Sequence, residues 1–345
     1  MDGRRGSVRQ TLLVLLLVLF CFILLPLGLM AWCGYREDRH GEGRQLHLAW
    51  ADGAFVSAEE VWHDEGANAH RLSLVDPATG ALLARRVLDE DLGKPTCRPV
   101  PPRLLWCRQK DELELLSAAD LQTLAPWSAL RALHPSLASG LSPYPPRVEP
   151  ATGRLVVGTQ DGFRVALDPR SRSAGQAADD ESFPRLDERS SPTAGAQEID
   201  RTYYGFDGNA STDRQALVRR TPGAHAPVRL HFDAEAGPGG GAAATYLKAV
   251  FLTPTDTRTG RPGRIEGPPG FLIAHQSLLA DAQARRRITR VDLEGKPLWT
   301  VELPLGSLGA AFLDADRLVL AQRHGCEQTS ALALADGRLL WTYAH

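Results

Sequence analysis

Two stretches of this 345-residue chain carry residue types suited to holding a metal. His63-Asp64-Glu65, with His70 nearby, offers imidazole and carboxylate donors of the kind zinc takes. The spacing matches no His-Glu-x-x-His helical pair, and Gly66 beside it predicts a solvated polar turn instead. Asp207-Gly208-Asn209-Ala210-Ser211-Thr212-Asp213 places oxygen side chains at alternating positions, as a calcium loop does. Its sixth position lacks glycine, and Val218 stands where the bidentate glutamate belongs, so a hydrogen-bonded Asx turn is expected. Arg285-Arg286-Arg287 reads as a charged strand edge that discourages aggregation rather than as an anion site. His225, His231, His275 and His324 show no pairing in sequence. A Gly-x-Ser-x-Gly elbow, a Walker loop and a dinucleotide glycine motif are all missing. The expected catalytic, cofactor-binding and metal-ligating sets are therefore empty, and no cofactor is implied.

Cys97 and Cys107 lie ten residues apart, separated by the turn-rich Arg98-Pro99-Val100-Pro101-Pro102-Arg103. Such a spacer returns the chain and brings two thiols within bonding distance, so a disulfide is expected in an oxidising compartment. The alternative is two reduced, half-buried thiols. Cys326 has no local histidine motif and reads as a small buried hydrophobe.

The elements around these residues are short. Runs such as Arg71–Val75, Arg154–Gly158, Phe271–Ala274 and Arg317–Leu320 are separated by Gly, Pro and Asp clusters, an all-β signature. Residues 111–124 read as a strand pair and the stretch holding Trp127, Leu130 and Leu133 as a short helix. Aligning the turns exposes a repeat. Val75-Asp76-Pro77-Ala78-Thr79-Gly80 leads into Ala81–Ala84, Val291-Asp292-Leu293-Glu294-Gly295 into Lys296–Trp299, and Leu334-Ala335-Asp336-Gly337 into Arg338–Trp341. Each is a strand, an Asp turn closed by glycine, and a second strand. Trp299 and Trp341 both stand four residues after the glycine. A copy at 115–121 has no turn glycine, and another follows Gly162. Hairpins recurring through such a length imply a β-propeller of about seven blades, or six with insertions. The final strand, Leu339–Tyr343, would close the ring and leave no open edge.

At these residues the chain resembles the quinoprotein-type propeller repeat, found in pyrroloquinoline-quinone dehydrogenases and in the propeller lipoprotein of bacterial outer-membrane assembly. Ala84 departs from the pattern, where the repeat has Trp. The resemblance implies structural roles for Gly80, Gly295, Gly337, Trp299 and Trp341, the tryptophans packing between blades and the glycines making turns. The dehydrogenases of the family use a vicinal disulfide and a calcium site. No adjacent cysteine pair occurs here, so the resemblance points to the non-enzymatic branch.

No charge occurs between Gln10 and Tyr35, and residues 12–32 are nearly all apolar. At roughly 1.5 Å per residue such a run spans a bilayer. Arg4, Arg5 and Arg9 precede it, predicting residues 1–11 inside, 33–44 as linker, and 45–345 exported as the propeller. A cleaved signal peptide and a lipoprotein acylated at Cys33 are the alternatives, and both export the rest of the chain. Insertions are expected near 171–200, 233–244 and 253–270. A net charge of -2 excludes an electrostatic nucleic-acid footprint. The low lysine content and abundant alanine suggest a bacterium with a GC-rich genome. The expectation is a single-pass protein of the bacterial inner membrane, its domain in the periplasm. It would act as a non-catalytic interaction platform for an envelope protein. The alternative is a small-ligand binder or metal-assisted enzyme using the central channel.

Overall fold

The computed structural model describes residues 43–61, 69–88, 93–177, 182–187, 191–208, 214–230, 245–261, 270–276, 286–303, 308–322 and 328–345. The chain is all-β, and among the described residues its strands fall into six sequence-contiguous antiparallel units. Unit one holds β1 (Gly43–Trp50), β2 (Phe55–Val61), β3 (Ala69–Val75) and β4 (Leu82–Leu88). Unit two holds β5 (Thr96–Val100), β6 (Leu104–Gln109), β7 (Glu112–Ser117) and β8 (Thr123–Ala125). A short helix, α1 (Trp127–Arg131), follows Pro126 and buries Leu130. Unit three is β9 (Arg147–Val148), β10 (Leu155–Gly158), β11 (Arg164–Asp168) and β12 (Ser173–Gln176). After β13 (Thr193–Ala194), unit four is β14 (Ala196–Ile199), β15 (Thr202–Asp207), β16 (Arg214–Arg220) and β17 (Val228–Arg229). Unit five comprises β18 (Thr245–Leu252), β20 (Gly270–Gln276), β21 (Arg286–Asp292) and β22 (Pro297–Leu303), with β19 (Thr255–Asp256) inserted after its first strand. Unit six is β23 (Leu308–Asp314), β24 (Arg317–Gln322), β25 (Gln328–Ala333) and β26 (Leu339–Ala344). Pairing of β16 with β18 joins units four and five into one sheet.

Alternation explains why the inner strands are apolar on both faces. Successive side chains of a strand point to opposite sides, and units one, two, five and six each lie between two others. On β6, Leu105 and Cys107 enter the core shared with unit one, whereas Trp106 enters the core shared with unit three. On β20, Leu272 and Ala274 face unit six while Phe271 and Ile273 face unit four. Among the described residues, five hydrophobic cores sit between units one and two, two and three, four and five, five and six, and six and one. In the last, Phe55 of β2 packs on Phe312 of β23 with ring centroids 5.3 Å apart.

Several expectations change. Among the described residues the units number six, the lower of the two expected counts. The terminal strand closes no sheet at the other end of the chain: β26 pairs with β25, and unit one is built from residues 43–88 alone. Side chains, not a shared strand, hold unit six against unit one, because β1 to β4 already complete their own sheet. The 171–200 stretch is not simply a loop, since it contains β12, β13 and part of unit four. The 253–270 excursion likewise contains β19, which pairs in parallel with β23. The expected membrane helix at 12–32 and the 233–244 insertion lie outside the described residues. Among those described, no helix is long and apolar enough to cross a membrane.

Candidate functional site

The first strands of units one, two, three and six border one cavity of about 690 Å³. Its wall includes Leu48, Trp50, Val100, Val148, Leu186 and Phe312, the prolines Pro99, Pro101, Pro150, Pro184 and Pro192, and the charged Asp52, Arg98, Glu149, Asp256 and Arg258. Strand alternation locates it along the molecule. The chain enters unit one at Gly43 and runs toward the Ala51–Ala54 turn, and Trp50, Ala51 and Asp52 at that far end all reach the cavity. The cavity therefore extends to the end opposite the chain's point of entry.

Two of its three carboxylates, Asp256 and Glu149, are engaged by their own turns. Asp256 Oδ1 accepts from the backbone N–H of Arg258 (2.7 Å) and Thr259 (3.1 Å). Glu149 accepts from the Thr152 hydroxyl and lies 3.9 Å from Arg154. Both head copies of one five-residue loop. In it the last residue's N–H donates to the first residue's carbonyl, as in Gly80→Asp76 (2.8 Å), Leu121→Ser117 (2.9 Å), Gly153→Glu149 (2.8 Å), Gly260→Asp256 (2.8 Å) and Gly337→Ala333 (2.9 Å). The closing residue always has positive φ: 71° at Gly80, 62° at Leu121, 75° at Gly153, 66° at Gly260 and 74° at Gly337. The copies at 149–153 and 256–260 escape a search for Asp-Gly hairpins. Pro150-Ala151-Thr152-Gly153 nevertheless repeats Pro77-Ala78-Thr79-Gly80 residue for residue.

The repeat positions meet across units. Trp299 of unit five covers Gly337 of unit six, and its Nε1 donates to Leu334 O at 2.9 Å. Trp341 of unit six covers Gly80 of unit one, and its Nε1 donates to Pro77 O at 3.1 Å. A Cβ on either glycine would fall 2.7 Å from the indole, so the close approach as well as the positive φ requires glycine. Gly295 closes a shorter turn, donating to Asp292 O at 3.1 Å. Unit one has Ala84 in the tryptophan position, and unit two answers with Leu121 in the glycine position, buried in their shared core. Arg86 makes a different polar contact to this loop, donating to Leu121 O at 3.1 Å.

Cys97 and Cys107 are directly opposed on β5 and β6, 4.1 Å apart at Cα, and form a disulfide. Both are buried in the core between units one and two. Of the metal candidates, His63, Asp64 and Glu65 lie outside the described residues, as do residues 209–213, Arg285, His231, His324 and Cys326. His70 is buried on β3, 3.8 Å from Glu60. Asp207 is paired with Arg229 at 2.7 Å. Arg287 pairs across β21 and β22 with Glu302 at 3.0 Å, and His225 sits in an exposed turn. His275 is buried on β20 beside Tyr246, with Nε2 2.8 Å from the Thr289 hydroxyl. Burial pushes its imidazole down to about 4, so it is neutral at physiological pH. Among the described residues, no group of three His, Cys, Asp or Glu is placed to hold a metal.

One buried polar cluster escaped the sequence. Glu59 on β2 is paired with Arg71, accepts from the Tyr343 hydroxyl at 3.0 Å, and lies 3.3 Å from His345 Nδ1. Thr329 and Gln45 extend the cluster, through His345 Nε2 and Ser57. Burial alone would push the Glu59 carboxyl up, but His345 and then Arg71 outweigh it and hold it down at about 2. The Ser57 hydroxyl lies near the same histidine, yet it meets Nδ1, the nitrogen already facing Glu59. A catalytic relay uses the two opposite nitrogens, so this geometry does not match one, and the cluster clasps unit six to unit one. The visible signal was a charged Glu59-Glu60 pair inside the Phe55–Val61 strand run.

No family model matches the chain, and no curated protein does. Solved structures do resemble it. An isopeptidase in its apo form matches at 15% identity and a TM-score of 0.46, covering 87% of this chain and 52% of its own. The chain thus spans about half the length of that enzyme. BamB from Moraxella catarrhalis matches at 11% identity and a TM-score of 0.25, covering 88% and 75%. A quinohemoprotein alcohol dehydrogenase from Comamonas testosteroni matches at 12% identity and 0.31, covering 89% and 68%. The last two are of propeller type.

Proposed function

We propose that the six units form a six-bladed β-propeller that serves as a non-catalytic interaction platform, tethered in the bacterial cell envelope by the apolar segment at 12–32. The ring reading rests on the chain's own contacts: unit six docks on unit one through Trp341 and Gly80 in the way unit five docks on unit six through Trp299 and Gly337. Sheets repeated radially leave a central channel, and a ring of these units would put the cavity bordered by first strands in that position.

The observation that carries the non-catalytic reading is the state of the charged groups. Glu149 and Asp256 at the cavity are turn caps, and the Glu59 cluster is a buried clasp. A general acid or base needs a titratable group within reach of a substrate; Glu149, Asp256 and Glu59 are committed to structure, which leaves His47 and Asp52 at the cavity wall. The cavity's size favours the rival small-ligand reading, but a metal-assisted reaction has no ligand set among the described residues. With an anchor before Gly43, the far end of the cavity would face away from the inner membrane into the periplasm. That placement suits a partner in the envelope and no nucleic acid.

The test is crosslinking in intact cells with tagged full-length protein, compared with an exported form starting at Gln45. One envelope protein should be recovered with both forms. Recovery of nothing above background from abundant protein sinks the platform reading, and recovery with the anchored form alone moves recognition into the membrane span.

A further inference from the structure

We propose that the central cavity takes an extended peptide segment of the partner protein, paired backbone to backbone with the inner edge of β1. The proposal rests on the platform reading and adds the chemistry of what is bound. Three inner edges in this molecule already carry extended segments of the chain itself. Thr193 and Ala194 pair with β18, and Thr255 and Asp256 pair in parallel with β23. On β9, Val148 N–H donates to Pro184 O at 2.9 Å and Leu186 N–H to Pro146 O. Segments from insertions thus fill the inner edges of units three, five and six in a single mode, strand addition.

Units one and two differ. Among the described residues, β1 and β5 end their sheets with no strand beyond them, and both border the cavity. β5 carries Pro99, which has no N–H to offer an added strand. β1 has no proline. Its pairing settles which groups point inward. Ala51 N–H bonds to Ala54 O, and Trp50 and Leu48 stand opposite Phe55 and Ser57 in the register. Antiparallel bonding alternates, so Ala49 bonds to β2 while Leu48 and Trp50 turn their N–H and C=O toward the cavity. Two residues in alternation offer four backbone groups, enough to seat three to five extended residues at roughly 3.3 Å each. A cavity of about 690 Å³ accommodates such a segment. Its proline and aliphatic residues, interspersed with Asp52, Arg98, Glu149, Asp256 and Arg258, suit a ligand held by its backbone rather than by one class of side chain.

The test uses full-length protein in detergent and a displayed library of linear random nonapeptides as the probe. Selected peptides should slow hydrogen exchange at the Leu48 and Trp50 amides about tenfold or more at saturation. N-methylation along a selected peptide should weaken binding about tenfold at alternate residues and leave the intervening ones unaffected, because only alternate N–H groups face β1. This series leaves the protein unaltered, so it does not depend on a Trp50→Pro variant folding. A library that yields no binder, a non-alternating N-methyl pattern, or protection confined to residues outside β1 overturns the proposal. The platform reading is judged separately by the in-cell crosslinking. An envelope partner recovered there, with β1 unprotected in its presence, overturns the peptide site and leaves the platform standing.

Discussion

At the scale of single residues, the docking of tryptophan on turn glycine makes strong demands. Gly337→Ala would place a Cβ 2.7 Å from Trp299 at a φ of +74°. The left-handed backbone and the overlap together should cost about 2–4 kcal/mol, read by denaturant unfolding. Leu121→Gly tests the opposite exchange. It restores the turn residue used elsewhere and relieves a φ of 62°, yet it empties a buried position beside Ala84. Net destabilisation of about 1–3 kcal/mol is expected, since a lost core leucine outweighs the backbone relief. A stabilised variant would refute the pairing of Leu121 with Ala84. Glu59→Gln removes the buried carboxylate paired with Arg71 and should cost about 3–5 kcal/mol. Because the folded carboxyl is held at about 2 against an ordinary 4.5, its contribution is complete above pH 4.5 and lost as pH falls toward 2. Acid unfolding of the wild type should be steeper in that window than that of Glu59→Gln.

At the scale of elements, the fourth strands share a device that no single residue reveals. In units one, two, five and six the register slips by one residue beside the turn, at Leu83, Leu124, Leu298 and Leu340. Each bulge falls three residues after the turn's closing residue, so the next position, Ala84, Ala125, Trp299 or Trp341, is aimed alike in all four. The disulfide acts on one hairpin, tying β5 to β6 within the core shared with unit one. Replacing both Cys97 and Cys107 by alanine should lower stability by about 2–3 kcal/mol, seen as loss of the reductant sensitivity of thermal unfolding. His275 gives unit five its own pH response. Its imidazole is depressed to about 4 from 6.5, so it adds stability fully above pH 6.5 and progressively less as pH falls toward 4. His275→Gln should therefore flatten the stability profile between those values, measured by urea midpoints from pH 4 to 7.

At the scale of the whole molecule, the decisive comparison is between two interfaces. If unit six closes on unit one as unit five closes on unit six, Trp341→Ala and Trp299→Ala should cost similar amounts, about 3–5 kcal/mol each. A small effect for Trp341→Ala alone, by equilibrium unfolding, would mean an open row of sheets. The all-β class was legible in the chain because short apolar runs and turn glycines are local features that survive without neighbours. The turn glycines and both tryptophans were legible for the same reason, as was the Cys97–Cys107 spacing across one hairpin. Unit count was less so: Leu121 and Arg172 adopt positive φ without being glycine, which hides turns from a glycine search. Only tertiary packing decided which turn each tryptophan covers, because Trp341 and Gly80 lie at opposite ends of the chain. The same holds for Glu59, whose partners Tyr343 and His345 come from the far terminus and whose charge is tolerable only once they surround it. The cavity belongs to this class as well. It exists because the first strands of four units, far apart in sequence, converge on one space, and convergence of distant segments leaves no periodic trace in a single chain.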